Sequence, residues 1–107
     1  MTVSTHVLDA SAGLPASGVA VALSTLGTGG AWAAVEAGET DADGRHRFAV
    51  ATPPGVYRLA FGTGDYFAAL GVGTFYPEVT VTFTVAAGHC HVPLLLSPFG
   101  YSTYRGS

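Results

Sequence analysis

The chain has 107 residues, 49% of them hydrophobic and only 10% charged, with a formal net charge of −3. That length makes one domain, 1–107, and its four cationic side chains, all arginine, leave no basic stripe for phosphates, which argues against nucleic acid as a partner. A domain this small cannot bury so much apolar side chain within itself, so the surplus predicts a homo-oligomer.

The opening "MTVSTHVLDA" has no positive n-region and no long apolar run. It predicts neither a secretory signal nor a membrane span, and hence no membrane partner. The one cysteine, Cys90, has no intramolecular disulfide partner. Together these features predict a cytoplasmic protein.

Along the chain, "STHVLDA" reads as a first strand and Ala12-Gly13-Leu14-Pro15 as a turn. "GVAVALS" alternates Val19, Val21 and Leu23 as a second strand, closed by the glycines of 27–30. Asp43-Gly44 reads as a hairpin turn, with Arg45 just after it on the strand "RHRFAVA". After Pro53-Pro54-Gly55, "GVYRLAFG" places Tyr57, Leu59 and Phe61 on one face and Arg58 on the other. "GDYFAALG" breaks the pattern: Tyr66, Phe67 and Leu70 have helical spacing, Asp65 is a candidate N-cap and Gly71 a stop. "PEVTVTFTVA" is the clearest strand, with Val79, Val81, Phe83 and Val85 facing one way and threonines the other. "HCHVPLLLS" follows, where Pro93 predicts an edge position or a bulge. "YSTYRGS" reads as a strand running almost to the last residue. Seven or eight short strands with such punctuation predict an all-β sandwich with one short helix.

Chemistry is confined to few residues. The chain has no lysine and therefore no Schiff-base nucleophile. Its histidines are His6, His46, His89 and His91. On a strand His89 and His91 share a face and Cys90 points the other way, which disfavours a Cys–His nucleophilic pair. A metal site of His89, His91 and a third ligand such as His6 would lack the usual spaced Cys/His pairs. General acid–base work by imidazole suits neutral pH, and a pair of histidines merely satisfied at a sheet edge is the bland alternative. Asp41 and Asp43 before Gly44 lack the further ligands of a calcium loop. Arg45 is either a solvated charge or an anion clamp, and His46 alternates away from it.

"STHVLDASAGLPASGVAVAL", "TDADGR", "FYPEVTVTFTV" and "HCHVPLLLSPFGYSTYRGS" together resemble the transthyretin-related 5-hydroxyisourate hydrolases over essentially the whole chain. The terminal Tyr104-Arg105-Gly106-Ser107 and the histidines separate this enzyme pattern from the transthyretin carrier. The resemblance implies a transthyretin (prealbumin)-like, seven- to eight-stranded β-sandwich of two four-stranded sheets. It implies a homotetramer with active sites in a channel where dimers meet, and no metal or organic cofactor. It implies hydrolysis of 5-hydroxyisourate to 2-oxo-4-hydroxy-4-carboxy-5-ureidoimidazoline in urate degradation. His6, Arg45 and His91 match the family's catalytic positions, with His6 and Arg45 also contacting substrate. Tyr104 matches its terminal substrate-binding tyrosine, and Arg105 and Ser107 are supporting residues, Ser107 through hydroxyl or terminal carboxylate. Either His6 or His91 serves as base. Cys90 stands where the family has tyrosine, and since it faces away from His91, activity is expected to survive and packing to change. Two other readings fit parts of the pattern: a non-catalytic small-ligand carrier, and a structural prealbumin-like module suggested by the Asp-Gly turn, strand and Pro-x-Gly-x-Tyr segment. The set His6, Arg45, His91 distinguishes the hydrolase from both.

Overall fold

The structure, a computed structural model, describes residues 2–107. Its strands are β1 (Thr2–Asp9), β2 (Leu14–Pro15), β3 (Ala20–Leu26), β4 (Trp32–Glu39), β5 (Arg45–Arg47), β6 (Gly55–Phe61), β7 (Val79–Val85), β8 (His89–Ser97) and β9 (Gly100–Thr103). They form two sheets. One runs β4-β3-β6-β7; the other runs β2-β1-β8-β9, with β5 also on β1. β2 and β5 divide the outer edge of β1 between them, β5 pairing with Ser4 to His6 and β2 with Leu8 and Asp9. The second sheet is thus four positions wide with one position split, which gives the transthyretin-like β-sandwich.

Period-two alternation sets the core. Val3 and Val7 of β1 point inward, facing Val21 and Leu23 of β3 and Leu59 and Phe61 of β6, all 0–2% exposed. Full burial of each such side chain contributes about 1.5–3 kcal/mol. Thr5 shares the inward face, and its hydroxyl donates to the Val92 carbonyl at 2.6 Å. The outward residues of β1 are Thr2, Ser4 and His6. β1 pairs with β8 in parallel, the one parallel ladder among the described strands, which sets Ser4 opposite His91 and His6 opposite Pro93.

Several expectations change. The Asp43–Gly44 turn is not a hairpin, because β4 and β5 lie in different sheets and the turn carries the chain across. The helix α1 (Thr63–Ala69) starts from Gly62 without a side-chain cap, so Asp65 lies in its first turn; Gly71 does end it, at φ 69°. Pro93 occupies a central strand, not an edge or a bulge. It is tolerated there because the β8–β9 ladder ends at Leu94↔Thr103 and resumes only as a bridge between His91 and Gly106. In that common register Pro93 falls opposite Tyr104, and it has no N–H to give. The final strand therefore stops at Thr103, and Tyr104 and Arg105 leave the sheet. β4 carries no strand signal in the sequence.

No helix among the described residues is long and apolar enough to cross a membrane.

Candidate active site

The outer face of the five-stranded sheet collects the polar residues. From β1 come Thr2, Ser4 and His6; from β5, Arg47 opposite Ser4 and Arg45 opposite His6; from β8, His89 and His91. Because partners in register share a face, His6, Arg45 and His91 all project to this side. On this face lies an open depression of about 400 Å³ whose lining includes Ser4, Arg45, Arg47, His89, His91 and Ser107; His6 stands beside it, opposite Arg45, and is not in its lining.

The turn before β5 places Arg45. The Asp41 carboxylate accepts the backbone N–H groups of Asp43 and Arg45, each at 2.9 Å. The hydrogen bond from Arg45 first, then, against the opposing desolvation, the one from Asp43 and the charges of Arg45 and His6, hold the Asp41 pKa below its usual value. Gly44 sits at φ 75° with its carbonyl accepting from Val7 N at 2.7 Å, and a Cβ there would strike the Val7 carbonyl. The turn is a backbone device, and no cluster of three metal-ligating side chains occurs among the described residues.

Hydrogen bonds assign the ring nitrogens. His6 Nε2 lies 2.9 Å from the Asp43 carbonyl. A carbonyl can only accept, so Nε2 carries the proton, and in neutral His6 the free nitrogen is Nδ1. His91 is held through its other nitrogen: Nδ1 lies 2.7 Å from Ser4 Oγ, leaving Nε2 free. Burial lowers the His91 pKa, and nearby His6, His89 and Arg45 lower it further. A neutral imidazole with one free nitrogen, beside a permanent guanidinium, can take a proton from water next to a cation able to steady a developing oxyanion.

Residues 3–106 match the family described as HIUase/Transthyretin. The chain belongs to this family. The 5-hydroxyisourate hydrolase of Salmonella typhimurium is 47% identical over 109 residues, which span 97% of this chain and 79% of that protein. The mouse (Mus musculus) 5-hydroxyisourate hydrolase is 44% identical, over 96% of this chain and 92% of its own. Among solved structures, Klebsiella pneumoniae 5-hydroxyisourate hydrolase covers both chains fully at 40% identity with a TM-score of 0.88. Sea bream transthyretin in complex with thyroxine superposes at 0.93, with 34% identity, over 97% of this chain and 93% of that one. Backbone likeness thus leaves hydrolase and carrier undistinguished, and the distinction rests on side chains.

Within this HIUase/transthyretin fold the terminal tetrapeptide divides. Ser107 lines the depression with Arg45 and His91. Its carboxylate forms no ion pair with an arginine among the described residues; the one ion-pair contact joins His46 and Glu36 at 3.8 Å. Tyr104, 58% exposed, and Arg105 line a second hollow of about 390 Å³ with Val81, Phe83, Cys90 and Val92. His89 and His91 line this hollow as well, so His91 borders both cavities, while Tyr104 is not in the lining of the depression that holds Arg45 and Ser107. Cys90 packs against the core, on the face away from the depression, and burial raises its thiol pKa despite the opposing charge of Arg105. His46 packs edge-on against Phe48 at 4.6 Å, yet it also contributes to the lining of the depression, which alternation with Arg45 did not predict.

Sequence reasoning did not single out Ser4, weighed Asp41 only as part of a calcium loop, and took Gly106 only as part of the terminal tetrapeptide. Ser4 contacts both His89 Nε2 and His91 Nδ1. Asp41 holds the turn that places Arg45. Gly106 lies against the His91 ring. The alternation Thr2, Ser4, His6 was the available signal for Ser4, but its partners are 85 and 87 residues away.

Proposed function

We propose that the protein is a hydrolase that opens 5-hydroxyisourate to 2-oxo-4-hydroxy-4-carboxy-5-ureidoimidazoline, a step of urate degradation. The observation that carries this reading is the convergence of His6, Arg45 and His91 on one sheet face, with one ring nitrogen of each histidine left free. The names of relatives at 44–47% identity support the substrate.

In this reading a water enters the depression and gives a proton to His91 Nε2 as it attacks the ring carbonyl. Arg45 stabilises the oxyanion with its planar fork, and also binds the ionised substrate. His6, anchored by Asp43, presents Nδ1 to substrate. The proton on His91 then passes to the leaving ring nitrogen. Imidazole and guanidinium supply the base and the cation, so the proposal invokes no metal or organic cofactor.

The working unit is proposed to be a homotetramer in the cytoplasm. β7 and β9 are the open edges on the same side of the sandwich, and Leu14, Phe75, Phe99 and Tyr104 are 58–75% exposed. Edge strands and exposed aromatics of this kind are covered by pairing with further copies. Tyr104 contacts substrate in this reading, from the hollow it shares with His91, and Arg105 and Ser107 support the site from the terminus.

The test generates 5-hydroxyisourate with urate oxidase and follows its ultraviolet absorbance with and without the protein. Acceleration over spontaneous decay is expected, and its absence removes the enzyme reading. His6→Ala, Arg45→Ala and His91→Ala should each cut turnover by about 100-fold or more. A carrier is the competing reading, favoured by the fit to thyroxine-bound transthyretin. It predicts ligand binding with no turnover.

A further inference from the structure

A chain of hydrogen bonds leaves the proposed site along the sheet. His91 Nδ1 lies 2.7 Å from Ser4 Oγ, Ser4 Oγ lies 2.7 Å from His89 Nε2, and His89 Nδ1 lies 2.6 Å from Thr2 Oγ1. The two rings lie nearly parallel, at 21° with centroids 6.5 Å apart, which aims both at the one hydroxyl.

Ser4 has one proton to share between two ring nitrogens. When it donates to His89 Nε2 it must accept from His91 Nδ1–H; when it donates to His91 Nδ1 it must accept from His89 Nε2–H. With the Ser4 proton spent on one ring, as satisfying both its donor and its acceptor capacity here demands, two neutral rings carry matching tautomers: both Nδ1–H or both Nε2–H. Only the first leaves His91 Nε2 bare. The burial of His91 and the groups that face it, Arg45 and Arg47 on β5 and the titratable His6 on β1 and His89 on β8, favour the neutral ring that this coupling needs.

We propose that Ser4 and His89 are positioning residues for His91, fixing through a single shared hydroxyl the tautomer that leaves its Nε2 free. The inference rests on the hydrolase reading only for its effect on rate, since the coupling of tautomers is a property of the folded chain. The same wire moves a proton without charge separation. A proton gained at His91 Nε2 releases the Nδ1 proton to Ser4, Ser4 gives its own to His89 Nε2, and His89 yields its Nδ1 proton to Thr2 or solvent. When His91 Nε2 gives its proton to the leaving ring nitrogen the transfers run back, so both rings return to the Nδ1–H form with no net proton lost.

The experiment labels the histidines with ¹⁵N and reads each tautomer from long-range proton–nitrogen correlation spectra at a pH where the rings are neutral. His89 and His91 are expected to show the same tautomer, with Nδ1 protonated. Ser4→Ala should turn both rings into tautomer mixtures, and Ser4→Thr should restore the matched pair. His89→Phe frees the Ser4 proton for His91 Nδ1 and should shift His91 toward the Nε2–H form. In the turnover assay Ser4→Ala and His89→Phe should lower kcat about 10-fold with KM little changed. Opposite tautomers in the wild type, or a His91 tautomer that Ser4→Ala leaves unchanged, would overturn the proposal. If the wild type shows matched tautomers but no turnover, the hydrolase reading fails and the coupling stands.

Discussion

Gly106 lies against the His91 imidazole so closely that a Cβ at position 106 would stand 2.5 Å from Cδ2 and 3.1 Å from Cγ. Its backbone N–H also donates to the His91 carbonyl at 2.9 Å. The terminus thus clamps the ring carrying the free nitrogen, on the side opposite the bond to Ser4. Gly106→Ala must move either the ring or the tail. A misplacement approaching 1 Å costs about 100-fold in rate. Turnover should fall by that order while the melting temperature stays within a few degrees of wild type, and a fully active Gly106→Ala would show that the tail can yield without disturbing His91.

Base catalysis by His91 fixes the direction of the pH dependence. Burial first, then His6, His89 and Arg45, lower its pKa from 6.5. The protonated ring is inactive as a base, so kcat/KM should be flat at alkaline pH and fall as pH drops through a value below 6.5. The stability linked to this group has the same sense. The unfolded ring binds its proton first, so stability is present above the ordinary imidazole range and erodes as pH falls through it. An acid limb centred above 6.5 would assign the base elsewhere.

Asp41 acts one step behind the site. Its carboxylate takes the N–H of Arg45 and of Asp43, and the Asp43 carbonyl in turn holds His6 Nε2. One side chain therefore sets two functional groups. Asp41→Ala should lower kcat/KM about 10-fold, and Asp41→Asn, which keeps an oxygen acceptor, by less. Equal and negligible effects of both in steady-state kinetics would show that the turn holds its shape through Gly44 alone.

Much of the sandwich was legible in the sequence because β1, β6 and β7 bury alternate residues and solvate the rest, the condition under which period two appears. β4 was illegible for a physical reason. Trp32–Glu39 is rich in alanine, is half-exposed along both faces, and is paired to β3 through an irregularity at Leu23/Ser24. Its largest side chain, Trp32, stacks under Arg58 on the outer surface and leaves no apolar alternation to read. His6, Arg45 and His91 were proposed from motif resemblance, and the structure places them on one sheet face. Ser4 was not, because its contacts arise from a parallel ladder that joins the two ends of the chain. Tyr104 leaves the sheet where Pro93 breaks the ladder, and it faces a hollow that it shares with His91 and Arg105.

Tyr66 ties the helix to β1. Its hydroxyl donates to Asp9 Oδ2 at 2.8 Å, and Asp9, 2% exposed, also accepts from Ser11 at 2.6 Å. Burial, then the bond to Asp9 and its charge, push the Tyr66 pKa up to about 12. The neutral phenol is thus favoured by folding, so its contribution is complete below pH 10 and is lost as pH rises from 10 to about 12. Tyr66→Phe should cost about 1.5–3 kcal/mol in denaturant unfolding at neutral pH, the range for a hydrogen bond to a charged acceptor. It should leave turnover unchanged, since neither residue reaches the depression.

Cys90 tests whether the second hollow takes part in catalysis. The thiol is half-buried against the core, and burial raises its pKa, so it is a poor nucleophile and should react slowly with iodoacetamide at neutral pH. The hollow beside it, about 390 Å³ and walled by Val81, Phe83 and Val92, has room for a phenol ring. Cys90→Tyr should therefore fill the hollow and raise the melting temperature by a few degrees. Because the side chain at this position points away from His91, kcat/KM should stay within about 3-fold of wild type, roughly 0.7 kcal/mol of barrier. A gain of orders of magnitude would mean that the residue between the two histidines controls the site through the sheet, and that Tyr104 and Arg105, which share the hollow, report on the same element.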